Sequence, residues 1–187
     1  MRDWIIITLA AALAVGGYLA VGSPMRADMP MSARQAELAA MDPLDMSPAE
    51  TLARLERLTQ DQPDDPQPHY FIGELLKSQG RDGDAVRAYQ SALRRNSEFA
   101  PALLGLADAI VRLQSGDIPD QAAQLYSRAY SLDRQLVRAG FMAGLAAWRA
   151  GESERARDIW SAVQNSLEPN DPRRTQLDGW VRSATAE

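Results

Sequence analysis

The chain has no cysteine and a single histidine, His69. Disulfides, thiolate chemistry and cysteine-ligated metal are therefore excluded, and a histidine cluster cannot be assembled. Lysine is almost missing as well, Lys77 being the only one, so the basic residues are arginines. Lys+Arg number 20 against 25 Asp+Glu, a formal net charge of −5. A chain of that balance lacks the clustered basic surface that phosphate binding needs, so nucleic acid is not an expected partner. No nucleophile–base constellation is recognisable among the remaining polar residues. No catalytic residue, metal ligand or cofactor is assigned, and an enzyme is not expected. The absence of cysteine fits an oxidising periplasm but occurs in cytosolic proteins too. Abundant alanine and arginine point to a GC-rich bacterial source.

Charge is absent altogether from residues 4–22, WIIITLAAALAVGGYLAVG. Nineteen helical residues span roughly 28 Å, close to the hydrocarbon core of a bilayer. Trp4 and Tyr18 stand near the two ends, where amphipathic rings favour the interface. A cleavable signal peptide is the competing reading, with Ala20-Val21-Gly22 as a small-residue cleavage site. The run exceeds the roughly 7–15 apolar residues of such signals, and the preceding Met-Arg-Asp carries an acid, so a transmembrane anchor is favoured. Arg2 and the terminal amine favour a cytoplasmic N-terminus, although Arg26 and Arg34 on the far side nearly balance them.

Residues 23–46 contain Pro24, Pro30 and Pro43 without a sustained apolar period and read as a tether, with one short helix near 33–40. Met25, Met29 and Met31 could serve as soft thioether ligands for Cu(I). Unbranched apolar side chains in a tether more often lie against a domain or membrane surface, so no metal is assigned.

What the rest of the chain does have is a repeat. Gly73, Gly80, Ala85, Tyr89 and Ala92 are echoed by Gly144, Gly151, Ala156, Trp160 and Val163. The interval from Gly73 to Gly144 is 71 residues, two periods of about 34 plus three inserted residues. Ser47-Pro48-Ala49-Glu50 predicts a capped helix start, with Leu52, Leu55 and Leu58 along one face. Between the two intact repeats, Leu103, Leu106, Ala107 and Ile110 predict a first helix and Ala122, Tyr126 and Ala129 a second. The turn joining them, residues 115–120, holds the three extra residues, and a surface insertion of this kind costs little. Asp171-Pro172 opens a last helix with Leu177, Trp180, Val181 and Ala184 on one stripe, and Arg173, Arg174 and Arg182 suit the polar outer side of a cap. The expected architecture is an all-α helix–turn–helix solenoid of about seven helices with an N-terminal transmembrane helix. Its segments are residues 1–3, the anchor 4–22, the tether 23–46 and a repeat domain 47–187. The repeat domain divides into a half-repeat 47–65, repeats at about 66–99, 100–136 and 137–170, and a capping helix 172–186.

This Gly/Ala/aromatic/Ala pattern resembles that of tetratricopeptide repeat (TPR) proteins over residues 47–186. The second repeat departs from it, with Ala107 and Gln114 at the glycine places. A narrower resemblance is carried by the anchor ending in YLAVGSP, the tether MRADMPMSAR, the Ser-Pro-capped helix ending in QPDDP and the long middle turn. That arrangement is similar to the periplasmic TPR part of c-type cytochrome biogenesis proteins of the CcmI/CycH type, in a short form with one span. The equivalent subunit of the nitrite-reductase maturation system is likewise similar. The resemblance implies a membrane-anchored chaperone, with its TPR domain in the periplasm of the bacterial inner membrane. Its client would be the C-terminal helix of an apocytochrome c, presented to the haem ligation complex.

In a TPR solenoid the first helix of each repeat lines the concave face. Positions there that repeat packing does not need are candidate contacts: Tyr70, Glu74 and Lys77; Leu104, Asp108, Val111 and Arg112; Phe141, Leu145, Trp148 and Arg149. Aromatic and aliphatic surface with a few charges suits an amphipathic helix laid in a groove, and Trp, Tyr and Arg dominate interface energetics. The same residues also admit plainer readings, as core for the apolar ones and solvated surface for the charged ones. His69 is expected in the core rather than as a haem ligand. A scaffold for another envelope complex is the alternative function.

Overall fold

The structure, a computed structural model, describes residue 36 and residues 46–185, the side chains of 183 and 184 excepted. The expected anchor at 4–22 and nearly all of the tether lie outside the described residues, as do the methionines at 25, 29 and 31. Ala36, within the expected tether helix, is helical. No helix of the described residues is long and apolar enough to cross a membrane. Contacts divide the chain into units of residues 1–45 and 46–187, and the architecture described here is that of the second.

Eight helices follow one another, one more than the seven or so expected, each on one of the segments the repeat pattern marks. They are α1 Pro48–Asp61, α2 Pro66–Ser78, α3 Asp82–Arg95, α4 Ala100–Leu113, α5 Asp120–Leu132, α6 Val137–Arg149, α7 Ser153–Asn165 and α8 Pro172–Thr185. No strand occurs among the described residues. The capping box forms at α1: the Ser47 amide donates to the Glu50 carboxylate at 2.8 Å while the Glu50 amide donates to Ser47 Oγ at 3.3 Å. Both groups satisfy orphan donors that a helix start would otherwise leave bare. Proline in the first turn pre-sets φ for α1, α2 and α4. The short turns after α2 and α6 reverse through Gly80 at φ 72° and Gly151 at φ 81°, a region that glycine enters at no steric cost.

Each helix packs on its chain neighbours, α2 against α3, α4 against α5 and α6 against α7 forming the repeats. The small residues of the pattern make this possible. A Cβ on Gly73 would stand 2.5 Å from the Tyr89 ring, and one on Gly144 would run into the Trp160 indole. Tyr89 and Tyr126 are fully buried and Trp160 is 3% exposed; each ring contributes on the order of 2 kcal/mol by leaving water. First helices also touch one another, α2 with α4 and α6 with α8, whereas no pair of second helices makes comparable contact among the described residues. A cleft of about 370 Å³ opens between α5 and α7, over Ala143 of α6.

α1 has no fully buried residue, which fits a second helix at the end of a stack. At the other end Leu177 of α8 is fully buried. Arg173 and Arg174, expected on the polar outer side, instead tie α8 to earlier turns. Arg173 pairs with Asp171 at 2.6 Å and donates to the Gln135 carbonyl at 3.2 Å, and Arg174 donates to the Leu167 carbonyl at 2.7 Å.

Candidate functional site

The face shared by α2, α4 and α6 carries all eleven candidate contacts, and they divide into three groups. The first is apolar: Tyr70, Leu104, Val111, Phe141, Leu145 and Trp148 are each partly buried. Leu104, Phe141 and Leu145 pack against both halves of the core, so part of each side chain serves stability and part remains open. Tyr70 leans on Phe99 edge-on at 5.6 Å and on Tyr89 at 6.1 Å. Phe141 stacks on Trp160 at 6.3 Å, and Trp148 lies 6.1 Å from that same indole. Rings held in this way on two sides lose little rotamer freedom when a partner covers the third, which lowers the cost of binding.

The second group is polar and committed inside its own repeat. Glu74 accepts from the Tyr89 hydroxyl at 2.6 Å and pairs with Lys77 at 2.8 Å. Burial first, and the bond to Glu74 second, push the Tyr89 phenol well above the ordinary range, so it stays a donor at any physiological pH. Asp108, one repeat on, accepts from the Tyr126 hydroxyl at 2.7 Å. The third repeat has Leu145 at this place, and the Trp160 indole N–H donates to the Phe141 carbonyl at 3.1 Å instead.

The third group holds one repeat to the next. Arg138, in the first turn of α6, donates to both oxygens of Asp108 at 3.1 Å. Burial opposes the charge on Arg138, yet the bonds to Asp108 outweigh it and its pKa stays raised. Arg112 lies 2.8 Å from Asp82 at the start of α3. That Asp82 oxygen has no aligned hydrogen bond among the described residues, so the contact is a charge pair rather than a directed bond. Arg149 donates to the Gly116 carbonyl at 3.3 Å. Arg112 and Arg149 thus do the same job one repeat apart, reaching from the end of a first helix to the turn of the preceding repeat. Asp108, Arg112 and Arg149 are therefore inter-repeat ties and not loose solvated charges.

Two residues outside the expected set belong to this face. Arg138 stands one turn before Phe141, a spacing that would have identified it. Trp180 of α8 lies 5.0 Å from Phe141 and extends the aromatic row beyond the third repeat; its place on the apolar stripe of the last helix marked it as core. His69 is half-buried, with Nε2 enclosed and without a hydrogen-bond partner among the described residues. Its pKa is lowered, by burial ahead of the Arg95 and Arg94 charges and against Asp65, so it is a neutral packing residue at physiological pH. Among the described residues no group of His, Asp and Glu is placed to hold a metal ion.

Comparison with known proteins gives this face a context. Residues 27–174 match the family described as "Cytochrome c-type biogenesis protein H TPR domain". The cytochrome c-type biogenesis protein CycH of Bradyrhizobium diazoefficiens is 28% identical over 151 residues, covering 81% of this chain and 40% of that protein. The protein of the same name from Pseudomonas aeruginosa is 28% identical over 176 residues, covering 94% and 41%. The chain thus spans about two-fifths of the length of these curated relatives. Among solved structures, MamA superposes with a TM-score of 0.57 at 19% identity, covering 72% of this chain and 85% of that one. The type III secretion translocator chaperone SycD of Yersinia enterocolitica gives 0.53 at 19% identity, covering 71% and 96%. At such identities these two likenesses speak for the helical repeat fold alone.

Proposed function

We propose, because this chain belongs to the TPR family of cytochrome c-type biogenesis proteins of the CcmI/CycH type, that its first-helix face holds the C-terminal helix of an apocytochrome c. Family membership supplies a role in cytochrome c-type biogenesis through a TPR domain. The finer reading, holding that helix and presenting the polypeptide to the membrane-bound haem ligation complex, rests chiefly on one observation. The apolar residues of the face, from Tyr70 through Leu104 and Val111 to Phe141, Leu145 and Trp148, stay partly open while the charges around them are consumed by ties within and between the repeats. An apolar stripe rimmed by satisfied charges suits the apolar face of an amphipathic helix, whose anchors recur at i, i+3 and i+4. In this reading the repeat domain stands in the periplasm, held to the inner membrane by residues 4–22. It acts by holding and orienting a polypeptide, with no bond made or broken by its own side chains.

Titration with a peptide of an apocytochrome C-terminal helix tests the reading, with tryptophan fluorescence as the signal. The helix is expected to saturate the change and a scrambled sequence of equal composition to leave it flat. Equal responses to the two peptides, or none to either, would dispose of the client assignment. Placement is tested separately: protease added to spheroplasts should digest the repeat domain along with a known periplasmic protein, and its survival would overturn the topology.

A further inference from the structure

The two seams between full repeats are built differently on the groove side. At the first, Gly105 of α4 lies against Tyr89; a Cβ there would stand 2.5 Å from the ring, and α4 comes down close to α2. One repeat on, the place of Gly105 is taken by Met142, which is buried in the same cluster as Tyr126. A methionine where its counterpart is a glycine leaves less room for close approach, and α4 and α6 make less close backbone contact than α2–α4 and α6–α8 do. A charged tie spans this seam at the level of Asp108. Asp108 is 12% exposed at its side chain and receives Arg138 from α6 as well as the Tyr126 hydroxyl from α5.

We propose that Asp108 and Arg138 are positioning residues that set the width of the first-helix groove at its middle seam, between α4 and α6. The stretches of groove on either side, carrying Tyr70 and Leu104 on one and Phe141 and Trp148 on the other, then keep one spacing for a helical client. A carboxylate held by a hydroxyl on one side and a bidentate guanidinium on the other has little freedom to move. The spacing it fixes is therefore narrower in distribution than side-chain packing around a flexible methionine would give. The client part rests on the proposed groove function; the seam part does not.

Because the chain has no cysteine, a pair of introduced cysteines can carry spin labels without background. Leu113→Cys with Ala150→Cys spans the middle seam, and Ser78→Cys with Leu113→Cys spans the first; all three positions are exposed at the ends of first helices. In the full chain, Arg138→Gln is expected to lengthen and broaden the middle-seam distance and leave the first-seam distance unchanged. Arg138→Lys, which keeps the charge, should restore most of the original distribution. Arg138 has a half-exposed side chain, so these variants are expected to fold, and an unchanged first-seam distance confirms that they have. An unaltered middle seam in Arg138→Gln, or equal change at both seams, overturns the proposal. Affinity for the apocytochrome helix peptide should fall about threefold to tenfold in Arg138→Gln, the range of coupling through a residue that does not touch the ligand, and recover in Arg138→Lys. A widened seam with unchanged affinity defeats the positioning role. No peptide binding by the parent protein defeats the client reading, and the distances still decide whether the latch exists.

Discussion

The first and second seams of the array share an arginine reaching back to the preceding turn, Arg112 to Asp82 and Arg149 to Gly116, and differ in how the facing helices meet. At the first, Tyr89 is clasped between Gly73 and Gly105. At the second, Met142 stands in place of Gly105 beside Tyr126, Gly140 instead lies against Tyr130, and the Asp108–Arg138 pair adds a charged tie. Close packing is insensitive to salt and intolerant of volume change. Ion pairs at a partly exposed seam are screened by salt and weaken without a cavity forming. One repeat pattern thus yields two seams whose stability should respond differently to salt and to changes of side-chain volume.

Substitutions at the two seams should separate these mechanisms, and the largest effect is expected from sterics. Gly105→Ala should cost about 2–3 kcal/mol, because the buried Tyr89 ring has nowhere to move; equilibrium unfolding in urea reads it, and a loss under about 0.5 kcal/mol would remove the asymmetry. Asp108→Ala should cost about 2 kcal/mol by leaving the buried Tyr126 hydroxyl without its acceptor and Arg138 without its partner. Its effect should shrink in concentrated salt, whereas that of Gly105→Ala should not. Ser47→Ala, far from both seams, should cost about 1 kcal/mol through the lost capping box. Arg149→Gln should lie within about 0.5 kcal/mol, since it removes one long bond from an exposed side chain. The smallest effect concerns pH. His69 is held below its ordinary pKa by burial, so the unfolded chain takes up the proton first as pH falls through about 6.5. Stability should decline from there until the folded value is passed, and His69→Gln should flatten that part of the curve.

Much of this was legible in the sequence, because the repeat signal is carried by residues whose size is their function. Gly73, Ala85, Tyr89 and Ala92 must be small or large for two helices to meet, so their spacing marks the helices they join. The long turn between α4 and α5 likewise followed from the interval between Gly73 and Gly144. The groove's polar residues were harder to interpret. Asp108, Arg112 and Arg149 carry the right chemistry at the right helical phase, but a residue's phase does not say whether a neighbouring repeat has already claimed it. Arg138 went unassigned and Trp180 was placed only on the last helix's apolar stripe for the converse reason, each joining the face through a contact with another repeat. The count of helices fell one short although each segment had been marked.

The central claim is that a client helix lies on the first-helix face rather than in the cleft between α5 and α7. A photo-reactive group placed along the apolar side of the apocytochrome C-terminal helix peptide, followed by mass spectrometry of the adducts, tests it most directly. Adducts are expected on Tyr70, Leu104, Phe141, Leu145 and Trp148, and they should vanish with excess unlabelled peptide. Adducts confined to Ser127, Arg134 and Ile159, which line that cleft, would contradict the account.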